Sequence, residues 1–236
     1  MSACVGRLAV LITGAPLPHT EQRRGGFTKL IREQARGAWG GEWLDVDLPG
    51  GATLPAPEEL AGVIVTGSAA HLTDQEPWML RGLEWLRSLT DAGTPILGIC
   101  FGHQMLGEAL GGRVDRNPRG REIGSVEVRV SAPHPLLPEG QLMANMTHLD
   151  SIVELPPQAK ILATTDLEPF AAVEFAPRIW GVQFHPEVDG DVMRDYISAR
   201  MAALEQEGLN GEQILADARD TPESAAVIER FCAALE

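Results

Sequence analysis

The chain has 236 residues, 44% of them hydrophobic and 22% charged, which suits a soluble globular domain with at most a modest appendage. Its 33 acidic residues outnumber 19 basic ones, and the formal net charge of −14 repels phosphates, which argues against nucleic-acid and anionic-membrane partners. No apolar run approaches the length of a membrane span, and the N-terminal "RLAVLITG" is too short for a signal-peptide core.

In chain order, short apolar runs at Leu8–Thr13, Trp43–Leu48, Gly62–Thr66 and Pro95–Ile99 are bounded by Gly or Pro and predict buried strands. Between them, "FTKLIREQA" and "PWMLRGLEWLRSLTDAG" carry apolar residues at three- and four-residue spacing and predict helices. The second has Pro77 in its first turn and ends at Gly93, the usual helix start and stop. Trp78, Trp85 and Leu86 fall on its apolar spacing and are expected in the core. Alternation of strand and helix predicts an α/β fold with a mostly parallel central sheet flanked by helices.

After Gly112 the texture changes. "EIGSVEVRV", "AKILATT", "FAAVEFA" and "RIWGVQF" follow one another without intervening helices, which predicts an antiparallel extension of the sheet. The arginines Arg113, Arg116, Arg119 and Arg121 are read as a solvated turn in preference to an anion-binding patch. From Asp189 onward "VMRDYISARMAALEQEG", "GEQILADAR" and "PESAAVIERFCAALE" predict a helical C-terminal tail. Residues 1–188 are therefore expected to form the main domain, with 189–236 packed on it.

The three cysteines, Cys4, Cys100 and Cys232, show no CxxC spacing. That spacing indicates neither a zinc site nor a disulfide framework and fits a reducing cytoplasm. His71, His103 and His134 lack ligand spacing, so no metal and no cofactor are expected.

Three stretches carry the candidate chemistry, each at the carboxyl end of a predicted strand, where open α/β sheets gather functional groups. Cys100 in "GICFGHQ" follows one strand and opens a helix. Gly98 and Gly102 permit the sharp turn and close approach that a nucleophile elbow demands, and the helix N-terminus favours a thiolate. His185 in "GVQFHPE" follows another strand, with Glu187 two residues on. A cysteine nucleophile needs such a base, and the base needs an orienting acceptor. Gly67 in "VIVTGSAA" ends a third strand, where backbone N–H groups would serve an oxyanion together with that of Phe101. Cys4 and Cys232 are expected to be structural, the latter on the apolar face of the last helix.

These stretches, in this order, resemble the class I (triad-type) glutamine amidotransferases: Gly98-Ile99-Cys100-Phe101-Gly102-His103-Gln104 is similar to the family's G-x-C-x-G-x-Q nucleophile motif and His185-Pro186-Glu187 to its base and orienter. "TGSAAHLTDQEPWM", "NPRGREIG" and "THLDSIVELPP" resemble segments of stand-alone, GMP-synthetase-like members. The resemblance spans roughly Leu8 to Tyr196 and implies a flavodoxin-like fold and hydrolysis of the glutamine side-chain amide. In that reading Cys100 forms a γ-glutamyl thioester, His185 shuttles the proton, Glu187 orients it, and Gly67 and Phe101 hold the oxyanion. The family pattern also implies that Gln104 contacts the substrate, and that a loop at Met146, Thr147, His148 and Leu149 binds its amino-acid end largely through backbone. The family's GMP-synthetase members usually read Ser-His-Gly-Asp where this chain has Thr147-His148-Leu149-Asp150, so Leu149 replaces a glycine. No nucleotide-binding motif that would activate an ammonia acceptor is visible, so a synthetase partner would be a separate chain. Two other readings compete: a γ-glutamyl peptidase or hydrolase using the same triad, and a retired binding module, which would need a damaged triad.

Overall fold

In the computed structural model, which describes residues 6–235, the four early apolar runs become β1 (Arg7–Ile12), β2 (Trp43–Asp47), β3 (Leu60–Val65) and β4 (Ile96–Ile99). In β1, β3 and β4 the side chains alternate between two buried faces, which is why each reads as an unbroken apolar run, whereas the edge strand β2 buries only Val46 and exposes Asp45 and Asp47. Leu8 and Val10 enter one cluster with Ile64, Leu97 and Ile99, whereas Ala9 and Leu11 enter the other with Val63, Val65 and Ile96. The first face is covered by Ile31 of α2 (Phe27–Ala35), and the second by Met79 and Leu86 of α3 (Pro77–Ala92) and Met105 of α4 (Phe101–Ala109). Trp85 is buried with them, and α3 ends at Gly93 in the left-handed conformation, φ 74°. One helix without a sequence signal, α1 (Pro18–Arg24), buries only Thr20, so it has no apolar stripe to detect.

The chain then builds β5 (Arg113–Arg116), β6 (Glu122–Val130), β7 (Gln141–His148), β8 (Asp150–Glu154), β9 (Lys160–Thr164), β10 (Ala172–Ala176) and β11 (Ile179–Val182). The nine-stranded sheet has the order β2-β1-β3-β4-β11-β10-β9-β6-β7, and β5 pairs with β8 separately. Its first five strands are parallel and the rest antiparallel. The antiparallel extension is therefore present, but "RIWGVQF" does not belong wholly to it. As β11, that run returns to lie parallel to β4, with Val182 opposite Ile99.

The segment expected to be a loop at Met146–Leu149 is mostly strand: β7 runs to His148 and β8 starts at Asp150, leaving Leu149 as the link. Asn145 disguises the pattern. It is fully buried, and its amide is satisfied by donation to the Val188 carbonyl (2.8 Å) and by acceptance from Ser125 Oγ (2.7 Å).

The first tail helix is two helices, α5 (Gly190–Ser198) and α6 (Met201–Gln206), separated at Ala199-Arg200. They precede α7 (Gly211–Asp217) and α8 (Pro222–Ala233). Val227, Phe231 and Cys232 of α8 are fully buried in the cluster that holds Leu8 and Ile31. Cys4 lies outside the described residues. No helix among the described residues is long and apolar enough to cross a membrane.

Candidate active site

β3, β4 and β11 are adjacent and parallel, so their carboxyl ends share one edge of the sheet. Each end carries one of the three stretches: Thr66-Gly67-Ser68 after β3, Cys100 after β4, and Gln183 to Glu187 after β11.

Cys100 caps α4 with φ 50° and ψ −102°, a conformation that costs a non-glycine residue about 1–3 kcal/mol. Its surroundings hold it there. The Cys100 N–H donates to the Val182 carbonyl (2.8 Å), and the Gly102 N–H donates to the Thr66 carbonyl (3.1 Å). A Cβ on Gly98 would sit 2.5 Å from the Gly102 carbonyl oxygen, and one on Gly102 would sit 2.5 Å from that of Val65. Backbone oxygens cannot rotate aside as side chains do. Gly102→Ala is therefore expected to destabilise the fold by about 3 kcal/mol, the upper end of overpacking costs. That is roughly 6–12 °C in Tm for a chain of this size, and a melt within about 2 °C of the parent would contradict the tight elbow.

Gly67 links the other two stretches. A Cβ at this position would lie 2.9 Å from His185 Cε1 and 3.7 Å from the Cys100 Cβ, so a side chain here would displace the imidazole from beside the thiol. The Gly67 N–H lies outside any helix or strand and that of Phe101 is the first of α4. Neither donates to another protein group among the described residues.

His185 is 3% exposed. Its Nδ1 lies 2.8 Å from Glu187 Oε1, its Nε2 has no protein partner, and the Phe27 ring stacks beside it at 6.5 Å between centroids. Burial alone would lower its pKa, but the Glu187 carboxylate and the neighbouring Cys100 side chain outweigh burial and raise it to about 10. Nδ1 is thus the donor to the Glu187 carboxylate, and Nε2 is the ring nitrogen without a protein partner.

Two cavities flank this pair. One, of about 230 Å³, is lined by Cys100, Gln104, His71, Thr147, His148, Leu149, Arg121 and others. The second, of about 160 Å³, is lined by His185, Leu17, Phe27, Tyr196 and neighbouring residues. Gln104 donates both amide hydrogens, to the Asp150 carbonyl (2.9 Å) and to Gln183 Oε1 (3.1 Å). This fixes the amide orientation and leaves its own Oε1 as an acceptor.

Of the residues between β7 and β8, Thr147, His148 and Leu149 line the first cavity, whereas the Met146 side chain is fully buried in the core. The His148 ring is committed to the protein: Nδ1 donates to the Asp150 carbonyl (3.0 Å) and Nε2 to Glu122 Oε2 (3.2 Å). Burial lowers its pKa, but the Glu122 hydrogen bond and the charges of Glu168 and Glu122 raise it on balance. Sequence reasoning missed these supporting residues, along with His71, whose Nδ1 lies 2.5 Å from Asp150 Oδ2. They are scattered along the chain and carry no motif. In the arginine cluster, Arg113 pairs with Glu154 on the surface, but Arg121 forms a bidentate pair with Glu207 (2.8 and 2.9 Å) and lines the first cavity.

The class-I glutamine amidotransferase family model matches residues 52–202, and the chain belongs to that family of enzymes. It is 38% identical over 141 residues to a glutamine-hydrolyzing GMP synthase of Aeropyrum pernix, covering 58% of this chain and 26% of that one. The chain thus spans about a quarter of the GMP synthase it matches. It is also 30% identical over 155 residues to γ-glutamyl peptidase 4 of Arabidopsis thaliana, covering 61% of each chain. A glutamine amidotransferase from Thermotoga maritima has the same fold, with a TM-score of 0.72 at 22% identity over 98% of this chain and 97% of that one.

Proposed function

We propose that the protein hydrolyses the γ-carbonyl amide of glutamine by covalent catalysis at Cys100. The observation that carries this reading is the buried His185–Glu187 pair beside a cysteine held on a strained strand-to-helix turn. The Cys100 thiolate attacks the γ-carbonyl carbon, and the oxyanion accepts hydrogen bonds from the Gly67 and Phe101 N–H groups. His185 Nε2 gives its proton to the leaving nitrogen, the C–N bond breaks, and ammonia departs from a γ-glutamyl thioester. Water then attacks the thioester, His185 takes a proton from it, and the C–S bond breaks to release glutamate. Gln104 Oε1 accepts from the substrate ammonium, and the backbone at Thr147, His148 and Leu149 holds the amino-acid end. Similarity to GMP synthases supports an ammonia-consuming synthetase as the partner of this domain.

A second substrate class is favoured by one observation. The cavity on the His185 side, where the leaving nitrogen departs, holds about 160 Å³, whereas ammonia needs the volume of about one water, ~30 Å³. A γ-glutamyl peptide or amine conjugate fits the same chemistry with a larger leaving group.

A glutamine-mimicking diazoketone tests the site directly. It is expected to alkylate Cys100 and to spare Cys232, which is fully buried on α8, as well as Cys4. Peptide mass mapping reads the outcome, and label spread over the three cysteines would refute the assignment.

A further inference from the structure

Arg200 lies at the break between α5 and α6 and borders both cavities, together with Ser68, Ala69 and Thr147. Its guanidinium sits 5.1 Å from the centroid of the Tyr196 ring, and Nη1 donates to the Tyr196 carbonyl (3.1 Å). No carboxylate pairs with it among the described residues, although the chain carries 33 acidic residues. Arg121, the other arginine of the first cavity, is already engaged by both oxygens of Glu207. Burial lowers the pKa of Arg200, and the electrostatic influence of Tyr196 opposes that shift. A guanidinium nevertheless remains a cation throughout the working pH range.

The two cavities differ in what they can receive. Cys100 and Gln104 line the first, which assigns it to the glutamyl half of the substrate. His185, the proton donor to the leaving nitrogen, lines the second with Leu17, Phe27 and Tyr196. The leaving side thus combines apolar walls with the Arg200 guanidinium, set apart from the imidazole that serves the scissile bond. An α-amino acid leaving group has the matching parts: an amine on the scissile bond, a side chain for the apolar walls and a carboxylate for the guanidinium.

We propose that Arg200 is a specificity-determining residue that binds the free carboxylate of the leaving amino acid, so that the enzyme prefers γ-glutamyl amino acids to neutral γ-glutamyl amides. This rests on the Cys100 mechanism above and names the substrate class for its second cavity. The guanidinium takes no part in bond breaking. It holds the amino acid with its nitrogen toward His185 Nε2 and releases it with the product.

The test compares kcat/KM for γ-glutamyl-alanine and γ-glutamyl-alaninamide, which differ only in that carboxylate, with glutamine measured alongside. For the parent enzyme the acid is expected to exceed the amide by on the order of ten- to a hundredfold, the worth of one charge-assisted hydrogen bond. In Arg200→Met the ratio should collapse to within about threefold of one, and in Arg200→Lys, which keeps the charge but loses the planar fork, it should be intermediate. The ratio is internal to each variant, so a general loss of activity does not imitate the result. Parent enzyme without a preference for the acid, or a ratio that survives Arg200→Met, would overturn the proposal. An equal loss on all three substrates would place Arg200 on the glutamyl carboxylate instead and overturn it too. Turnover of none of the three by the parent would sink the Cys100 mechanism itself, a distinct result.

Discussion

Cys100→Ala is expected to lower kcat for glutamine hydrolysis by on the order of 10⁶, and His185→Ala by a similar factor. Without the sulfur no thioester forms, and the remaining rate is that of water attacking a carbonyl held by the Gly67 and Phe101 N–H groups. Without the imidazole the sulfur has no counter-cation and the leaving nitrogen has no proton donor, because His185 Nε2 is the ring nitrogen left without a protein partner beside it. The double variant should be no worse than either single one, since the two groups act as a unit. Ammonia release under saturating glutamine measures all three. A His185→Ala enzyme with near-parental rates would remove the proposed base from the mechanism.

Glu187→Gln is expected to cost about 10²–10⁴ in kcat, since the orienter positions the imidazole but carries no proton itself. It should also move the pH profile. Burial favours the neutral imidazole, and the Glu187 carboxylate is the strongest influence in the opposite direction, holding the His185 pKa at about 10. The proton that the leaving group needs is therefore retained until the pH rises through that value, which sets the alkaline limb of kcat/KM. Replacing the carboxylate by an amide removes the attraction while burial remains, so the limb should move to lower pH by at least about one unit. Stability follows the same sign. The raised pKa contributes stability that is fully present below about 6.5, the unfolded value, and is lost as pH rises through about 10. In Glu187→Gln that loss should be complete at lower pH, which melts between pH 7 and 10 would detect. An unchanged alkaline limb would mean that Glu187 does not govern the imidazole.

The residues of the elbow and of the His-Pro-Glu turn are legible in the sequence because their requirements are local. Gly98 and Gly102 flank Cys100 within one turn, and Glu187 follows His185 by two residues, so backbone geometry links each pair. β1, β3 and β4 are legible for a related reason: a strand buried on both faces must be apolar at every position. β7 was not legible, because buried Asn145 is satisfied by Ser125 and Val188 from distant parts of the chain. Nor was the commitment of His148 to Glu122, whose side chain reaches it across the β6–β7 pairing.

The sequence by itself determined the α/β alternation, the cysteine on its turn and the histidine with its carboxylate, since periodicity and short-range stereochemistry specify each of them. It did not determine that these groups meet. That follows from β11 inserting parallel beside β4, which brings His185 next to Cys100, and from β3 on the other side bringing Gly67 against both. The tertiary structure alone also decided that Arg200 stands at a break in the tail helices and overlooks the site, because continuous helical periodicity hides a break. Long-range pairing and the packing of the tail depend on which surfaces bury each other, a property of the whole chain that no local window of sequence contains.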